Sequence, residues 1–407
     1  MLNTLNDVLN NVDNFIWGMP LIILILFTGI LLTVRLRGLQ VRHLGKALHY
    51  VFHNEDDGEG EVTSFGALCT ALSATIGTGN IVGCATAIVA GGPGALFWMW
   101  LAAFFGMATK YAEGMLAVKY RVIAEDGHAL GGPFYYIEKG MGKNFKWLAK
   151  LFCVFGTMVG LFGIGTFTQV NGITSAVNNF FDPSNVHTIS LFGMNYSISV
   201  VVAGIIVTIC AGLVIIGGIK RISKVSEVIV PFMAVTYIGV CLIIVFTHLP
   251  QVPAAFAEIV QSAFGLKAVA GGAIGAMTVA MQKGIARGIF SNEAGLGSAP
   301  IAAAAAQTNE PVRQGLVSMT GTFIDTIIVC TMTGLAIVMT GAWDMGLEGV
   351  AVTTKAFALG LPFPAKVSAF ILMMCLVFFA FTTILGWAYY SERCLEYLVN
   401  GKKFVIT

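Results

Sequence analysis

The sequence predicts an all-α integral membrane protein, and its composition, its long apolar segments and the placement of its basic residues each indicate this class. Of the 407 residues, 57% are hydrophobic and only 11% are charged, and the mean hydropathy is +0.82. Soluble domains carry about 25% charged residues, so this chain is too poor in charge to be one. We therefore expect the lipid bilayer to be a principal partner.

Nine segments are apolar and long enough to cross a bilayer, which takes about 20 predominantly apolar residues in a helix. They predict a single transmembrane transporter domain over residues 1–407. The predicted spans are 15–34, 65–90, 94–118, 148–177, 194–217, 227–247, 268–286, 314–341 and 367–390.

The basic residues predict how these spans are oriented, because short cytoplasmic loops collect Lys and Arg. With the N-terminus outside, only Lys267, Lys355 and Lys366 of the 23 basic residues fall on the outer side. We therefore expect a multi-pass protein of the cytoplasmic membrane with its N-terminus outside and its C-terminus inside.

The low net charge and the positions of the cysteines and histidines argue against several classes of protein. The net charge is +2 and no basic run is interleaved with aromatic residues, so no nucleic-acid partner is expected. Most of the eight cysteines lie in apolar segments without a C-x-x-C pair, and the six histidines fall in polar connections or at segment ends. We expect no cofactor and no enzymatic activity, and the sequence leaves the oligomeric state open.

The second predicted span contains an unusual run of glycine and polar residues near mid-membrane. Interior glycines cost about 1 kcal/mol each relative to alanine, and polar groups at that depth need a partner or a cavity. This pattern favours an unwound segment, with close helix packing as the alternative. The residues concerned are Thr75, Gly77, Thr78, Gly79, Asn80 and Gly83.

The seventh predicted span offers a counterpart in Gly271, Gly272 and Gly275, five spans later. Discontinuous helices in matching positions of two halves indicate a transporter site at the membrane midplane. There, free N–H groups at a half-helix start can hold a carboxylate, and freed carbonyl groups can hold a cation.

Paired hydroxyl groups in the ninth span, Thr382 and Thr383, are candidates for a cation site when combined with carbonyl groups of the broken second span. The alternative is that each threonine bonds a carbonyl group of its own helix. Gln169 is a mid-membrane amide that could contact a zwitterion or join two helices. Asp325 is a buried carboxylate that could relay a proton or sodium, or bond hydroxyl and backbone groups structurally.

Long motifs along the chain resemble those of the alanine or glycine:cation symporter family, also described as sodium:alanine symporters. They are ATIGTGN at 74–80, GGPGALFWMW at 91–100, GMATKYAE at 106–113, GGPFYY at 131–136 and RGIFSNEAGLGSAP at 287–300.

The resemblance implies a leucine-transporter-type five-plus-five inverted repeat with one extra N-terminal helix. The second and seventh spans would then be the first and sixth helices of the repeat. Family members continue for two more spans, so the last two helices of the second repeat are expected to be missing from this chain.

The resemblance also implies roles for individual residues. Substrate carboxylate binding falls on the second span, the amino group meets seventh-span carbonyl groups and Gln169, and Trp387 closes a small pocket. The implied substrate site is Thr75, Gly77, Thr78, Gly79, Asn80, Gln169, Gly271, Gly272, Gly275 and Trp387. The implied sodium site uses carbonyl groups of Ser73, Ile76 and Phe379 and the hydroxyl groups of Thr382 and Thr383.

The expected function is therefore sodium-coupled symport of a small neutral amino acid, alanine or glycine, by alternating access. A proton-coupled permease that uses Asp325 is one alternative. A truncated membrane protein that binds an amino acid without transporting it is another. One methyl group changes binding by only about 1 to 3 kcal/mol, so the sequence does not distinguish alanine from glycine, serine or D-isomers.

Overall fold

A computed structural model of the protein describes residues 2–53, 58–124, 127–191, 193–266 and 272–399, and these are about 80% helical. The N-terminal part begins with an exposed helix and then forms an apolar helix that starts at a Gly-Met-Pro sequence, where proline costs no hydrogen bond. Its helices are α1 Leu2–Ile16, α2 Met19–Arg35, α3 Leu39–Arg42, α4 Leu44–Phe52, α5 Ser64–Thr75, α6 Cys84–Gly91 and α7 Gly94–Lys119.

The middle of the chain alternates helices with two small antiparallel hairpins. Its elements are β1 Val122–Ile123, β2 Ala129–Leu130, α8 Pro133–Tyr136, α9 Lys146–Phe162, α10 Phe167–Phe181, β3 Thr188–Leu191, β4 Met194–Ser197, α11 Ile198–Ile215, α12 Gly218–Thr247 and α13 Val252–Ala263. The last part is helical, with α14 Ala273–Asn292, α15 Ala299–Ala303, α16 Pro311–Thr322, α17 Thr331–Thr340, α18 Val350–Gly360 and α19 Ala365–Val399.

Short stretches of wider or tighter helix join several of these elements. The π-helical segments are Gly79–Gly83, Ile137–Met141 and Phe323–Cys330, and the 3₁₀ turns are Lys143–Phe145, Leu249–Gln251 and Ala342–Asp344. Because π-helical turns are rare and are frequently found at functional sites, the segments at Gly79–Gly83 and Phe323–Cys330 mark a region of interest.

Length and apolar composition identify five described helical segments that could cross a membrane, and six if the bent pair Ser64–Thr75 and Gly79–Gly91 counts as one span. The chain is thus a multi-pass all-α membrane protein. Helix α7 coincides closely with the predicted span 94–118, but the count of nine spans remains a prediction.

Several predicted spans differ from the helices that the structure contains. The fourth, 148–177, is divided between α9 and α10 by residues 163–166. Residues 194–197 of the fifth predicted span form β4, which pairs with β3, and the helix starts only at Ile198. The described part of the seventh span forms α14, which starts at Ala273 and continues to Asn292, past the predicted end at residue 286.

Helices α7 and α19 are the two helices around which the others pack. Helix α7 contacts α2, α14, α15 and α16, and α19 contacts α5, α9, α10 and α12. Glycine allows the closest approaches, because a Cβ atom at Gly284 or Gly386 would collide with backbone atoms of Ala95 or Ala74. The broken second span therefore lies between two tightly packed groups of helices.

Candidate functional site

Helix α5 stops inside the second predicted span, and the chain changes direction before it continues toward α6. The helix ends at Thr75, Ile76 has extended backbone, and the helical path resumes as the π-helix Gly79–Gly83 at an angle of 53°. This break confirms the unwound segment that the run of glycine and polar residues predicts. It leaves carbonyl and N–H groups around Gly77 without regular helical partners.

Oxygen atoms from α19 lie directly beside this break. The Thr383 hydroxyl donates to the Phe379 carbonyl group at 3.0 Å and lies 3.4 Å from the Ile76 carbonyl oxygen. The Thr382 hydroxyl also donates to Phe379 O at 3.0 Å. Both threonines are buried, and such a group of carbonyl and hydroxyl oxygens has the chemistry that hard cations prefer.

The predicted sodium ligands differ in how directly they lie at the helix break. Thr383 bridges α19 and the break, whereas the Thr382 hydroxyl lies within its own helix and 3.5 Å from Met233 Sδ. The Ser73 hydroxyl donates to Thr70 O within α5, and Ser73 lies one helical turn before Ile76. The structure therefore brings Ile76, Phe379 and Thr383 into contact most directly.

The backbone N–H groups of the break meet two side-chain amides. The Gly77 N–H donates to Asn80 Oδ1 at 2.9 Å, and the Thr78 N–H points to Gln169 Oε1 at 3.4 Å. The Gln169 Nε2 group donates to Ile164 O at 3.1 Å, which fixes the orientation of this buried amide. Two N–H groups are thus held by neutral acceptors that a carboxylate could replace.

The remaining predicted residues of the second span and Trp387 line the same region. Thr75 donates to Ala71 O of its own helix at 3.2 Å, and Gly79 lies against Phe290 and Ser291 of α14. Trp387 is buried beside Gly165, and its indole N–H has no hydrogen-bond partner among the described residues.

Asp325 is fully buried at the centre of a polar network that joins three segments. Its carboxylate accepts hydrogen bonds from Asn80 Nδ2 at 2.7 Å, Ser291 Oγ at 2.8 Å and Thr326 Oγ1 at 2.7 Å. Because Asn80 also accepts from Gly77, a continuous chain of hydrogen bonds links the break of the second span to Asp325.

The structure does not place the described glycines of the seventh span, Gly272 and Gly275, at the break of the second span, so their role in the site stays a prediction. Gly272 caps α14 and Gly275 lies inside that helix, sixteen residues before Ser291, which is about 24 Å along a helix at 1.5 Å per residue. Gly271 lies outside the described residues. In sequence, a run of glycines at the start of a helix looks the same as a run that interrupts a helix.

The interruption after α14 lies further along the chain. Glu293 ends α14 with a left-handed backbone, φ 56°, and Gly295 and Gly297 also have positive φ before α15 begins. The Gly297 N–H donates to Glu113 Oε1 at 3.1 Å, and the Ser298 hydroxyl donates to Glu293.

Sequence reasoning assigned no role to Ser291, Asn292 and Thr326. Ser291 bonds Asp325, and Asn292 Nδ2 donates to Thr326 Oγ1 at 3.0 Å. The signal was present in the motif at 287–300, where polar residues precede two closely spaced glycines and a proline. That composition ends a helix in the same way as the run at 74–80.

A broken apolar helix with oxygen atoms and backbone N–H groups collected at its break is typical of a membrane transporter. This chain belongs to the sodium:alanine symporter family, whose model matches residues 2–407. The family and its members are transporters, which supports a cation-coupled amino acid symporter.

Similar proteins support this assignment over nearly the whole chain. An uncharacterized transporter of Haemophilus influenzae is 58% identical over 399 residues, which cover 98% of this chain and 83% of that protein. The sodium/alanine symporter AgcS of Methanococcus maripaludis is 46% identical, with 97% and 84% covered. The probable sodium/glutamine symporter GlnT of Bacillus subtilis is 38% identical, with 100% and 80% covered.

Proposed function

We propose that this protein is a secondary active transporter that carries alanine or glycine into the cell together with a sodium ion. The observation that carries the proposal is the contact of the Thr383 hydroxyl with both Phe379 O and Ile76 O at the helix break. Sodium binding there would join α19 to α5. Sodium binding would thus stabilise the same segment that offers N–H groups to the substrate.

The substrate carboxylate is proposed to bind the N–H groups of Gly77, Thr78 and Gly79, with the N-terminal end of the following helical segment favouring the negative charge. In doing so it would replace the acceptors that Asn80 and Gln169 now provide. The freed Gln169 oxygen could then accept from the substrate ammonium group, and Trp387 would close the pocket around a small side chain.

Sodium coupling supplies enough free energy for uphill transport. One charge that crosses a potential of 100 mV contributes about 2.3 kcal/mol. A tenfold sodium gradient adds about 1.4 kcal/mol. Together, roughly 3.7 kcal/mol sustains accumulation of several hundredfold, since each 1.4 kcal/mol is about a factor of ten.

We also propose the architecture that alternating access requires. The break between α5 and α6 and the interruption between α14 and α15 would be the matching discontinuities of a five-plus-five inverted repeat. They meet in the structure, because Asn80 donates to Ser291 Oγ at 3.1 Å. The N-terminus would lie outside and the C-terminus inside.

The experiment is uptake of labelled alanine into proteoliposomes under an imposed sodium gradient, with a sodium-free control. Thr383→Ala removes the bridging hydroxyl, so we expect sodium-dependent uptake to fall at least tenfold, with a smaller loss for Thr382→Ala. Thr174→Ala is the matched control, since this buried threonine of α10 bonds carbonyl groups of its own helix, Val170 O and Asn171 O. Equal uptake with and without sodium in the wild type would contradict the proposal.

Asp325 favours a second candidate, the same transport driven by protons. A fully buried carboxylate whose hydrogen bonds come from neutral donors can gain or lose a proton as the protein changes state. Uptake driven by a pH gradient without sodium, and abolished in Asp325→Asn, would favour this candidate. Binding of alanine without accumulation in either gradient would instead indicate a binding protein that does not transport.

A further inference from the structure

One ammonium group lies inside the protein without a hydrogen-bond partner. Lys110 on α7 is only 3% exposed, and its Nζ atom bonds none of the described residues. An unpaired buried charge is costly unless it meets an opposite potential.

The opposite potential comes first from two helix ends. Lys110 lines a cavity of about 20 Å³ together with Thr75 and Asn292, which are the last residues of α5 and α14. A helix carries about half a negative charge at its C-terminal end. The two helices that stop in the middle of the protein therefore both direct their negative ends toward this region.

Three carboxylates add to that negative potential. Glu113 lies one helical turn after Lys110 on α7. The buried Glu293 follows Asn292, and the buried Asp325 precedes Thr326, which accepts from Asn292 Nδ2 at 3.0 Å. Glu113 Oε2 has no hydrogen-bond partner of its own among the described residues. One ammonium group thus lies in a region that holds three acidic groups and two helix ends.

The proposed sodium site uses the same helix end from its other side. Thr75 lines the cavity at Lys110, and the next residue, Ile76, presents its carbonyl oxygen to Thr383. In a region without bulk water, two positive charges near one helix end repel each other with little screening.

We propose that Lys110 is a positioning residue that weakens sodium binding at the break through this repulsion and so speeds release of the ion. This inference rests on the proposed sodium-coupled function. Lys110 holds the negative ends of α5 and α14 together while the sodium site is unoccupied, and competes with the ion for them when it is occupied. The charge therefore sets the sodium affinity, and no contact with substrate is required.

The test measures the sodium concentration that gives half-maximal thermal stabilisation of the purified protein, and the maximal uptake rate in proteoliposomes. Lys110→Met removes the charge, so we expect the half-maximal concentration to fall about two- to tenfold, the range expected for a charge at a helix end. The uptake rate should fall as well, because release slows. Lys110→Arg should keep the wild-type affinity, and Lys119→Met, at an exposed site of the same helix, is the matched control.

A variant that removes a negative charge instead of a positive one makes the test independent of the stability of Lys110→Met. Glu113→Gln keeps an oxygen for the Gly297 N–H but removes a negative charge, so sodium should bind more weakly. If Lys110→Met does not fold, Lys110→Gln and Glu113→Gln decide the question by the same two opposite shifts.

The outcomes separate this inference from the function on which it rests. Unchanged or weaker sodium binding in a folded, uncharged Lys110 variant, or an unchanged affinity in Glu113→Gln, overturns the role of Lys110 alone. A wild-type protein that shows no sodium response overturns the proposed function and this inference together. A merely structural lysine would lower sodium affinity when replaced, which is opposite to the expected shift.

Discussion

At the scale of single residues, the site depends on the absence of a side chain at two glycines as much as on its polar groups. A Cβ atom at Gly77 would collide with Thr383 Oγ1, and one at Gly165 would collide with the Trp387 side chain. Glycine at these two positions lets the break approach α19 closely enough for carbonyl and hydroxyl oxygens to share one cation. Polar residues alone would not produce that contact.

Gly77→Ala therefore tests the cation site without removing any polar group. We expect sodium-dependent uptake to fall at least tenfold, because the added methyl group displaces the Thr383 hydroxyl from Ile76. Gly275→Ala is the comparison, since nothing lies within 4 Å of an added Cβ there. It should transport normally and gain up to about 1 kcal/mol of helix stability. Normal sodium dependence in Gly77→Ala would show that Thr383 is not a ligand.

At the scale of elements, the connections between helices are held by side chains that bond backbone groups. Arg121 donates to the carbonyl groups of Ala304 at 3.0 Å, Ala306 at 2.6 Å and Thr308 at 2.7 Å. The planar guanidinium group of Arg121 thus holds the segment that follows α15 against the end of α7. Helices broken in mid-membrane need such anchors, because half-helices have fewer backbone bonds of their own.

The hairpin β3–β4 has a similar anchor whose strength depends on pH. Asp182 accepts hydrogen bonds from the N–H groups of Val186 at 2.9 Å and His187 at 3.1 Å and from the Ser197 hydroxyl at 3.1 Å. These bonds, that of Val186 first, hold the pKa of Asp182 below its ordinary value. The stabilisation is fully present above the unfolded-state pKa of about 3.9 and is lost as pH falls through the lowered value.

Thermal unfolding of the wild type and Asp182→Asn in detergent, followed from pH 7 to pH 3, measures this effect. We expect the variant to melt at a lower temperature near neutral pH, and the difference to shrink as the wild-type carboxylate becomes protonated. Asp7→Asn, at an exposed position of α1, should show no such difference. A difference between wild type and Asp182→Asn that stays constant down to pH 3 would mean that the charge of Asp182 does not matter.

At the scale of the whole molecule, a cavity of about 940 Å³ extends between α9, α19 and the link from α11 to α12. Its lining includes Thr166, three residues before Gln169, and Ile384, which follows Thr383. Arg393 and Glu392 lie toward its other end, near the C-terminus of α19. The cavity thus extends along α19 from Ile384 toward the C-terminus of that helix, and we expect it to form part of the inner path.

Ala388 lines this cavity one turn beyond Ile384, so Ala388→Cys tests the path and the orientation together. We expect a membrane-impermeant thiol reagent to label it only from the inner side of oriented vesicles. The native described cysteines other than Cys210 are buried, so Cys210→Ser provides the background. Labelling from the outer side would show that the predicted orientation is reversed.

The sequence by itself determined the class of the protein, most helix positions and the break of the second span. These follow from local physical chemistry: apolar length requires a membrane helix, and glycine with polar residues at 74–80 weakens one helix at one place. For the same reason sequence analysis could single out Thr383, Gln169 and Asp325, because uncompensated polar groups in an apolar span are conspicuous in any context.

Only the tertiary structure decided which of these groups meet. Glycines at the start of α14 and glycines after Asn292 have the same local preference, but Gly275 lies inside the continuous helix α14, whereas Gly295 and Gly297 have positive φ in the interruption that follows it. The contacts of Ser291 with Asp325, and of Thr75 with the cavity at Lys110, join residues far apart in the chain. Such contacts depend on how helices pack, which local sequence patterns do not specify.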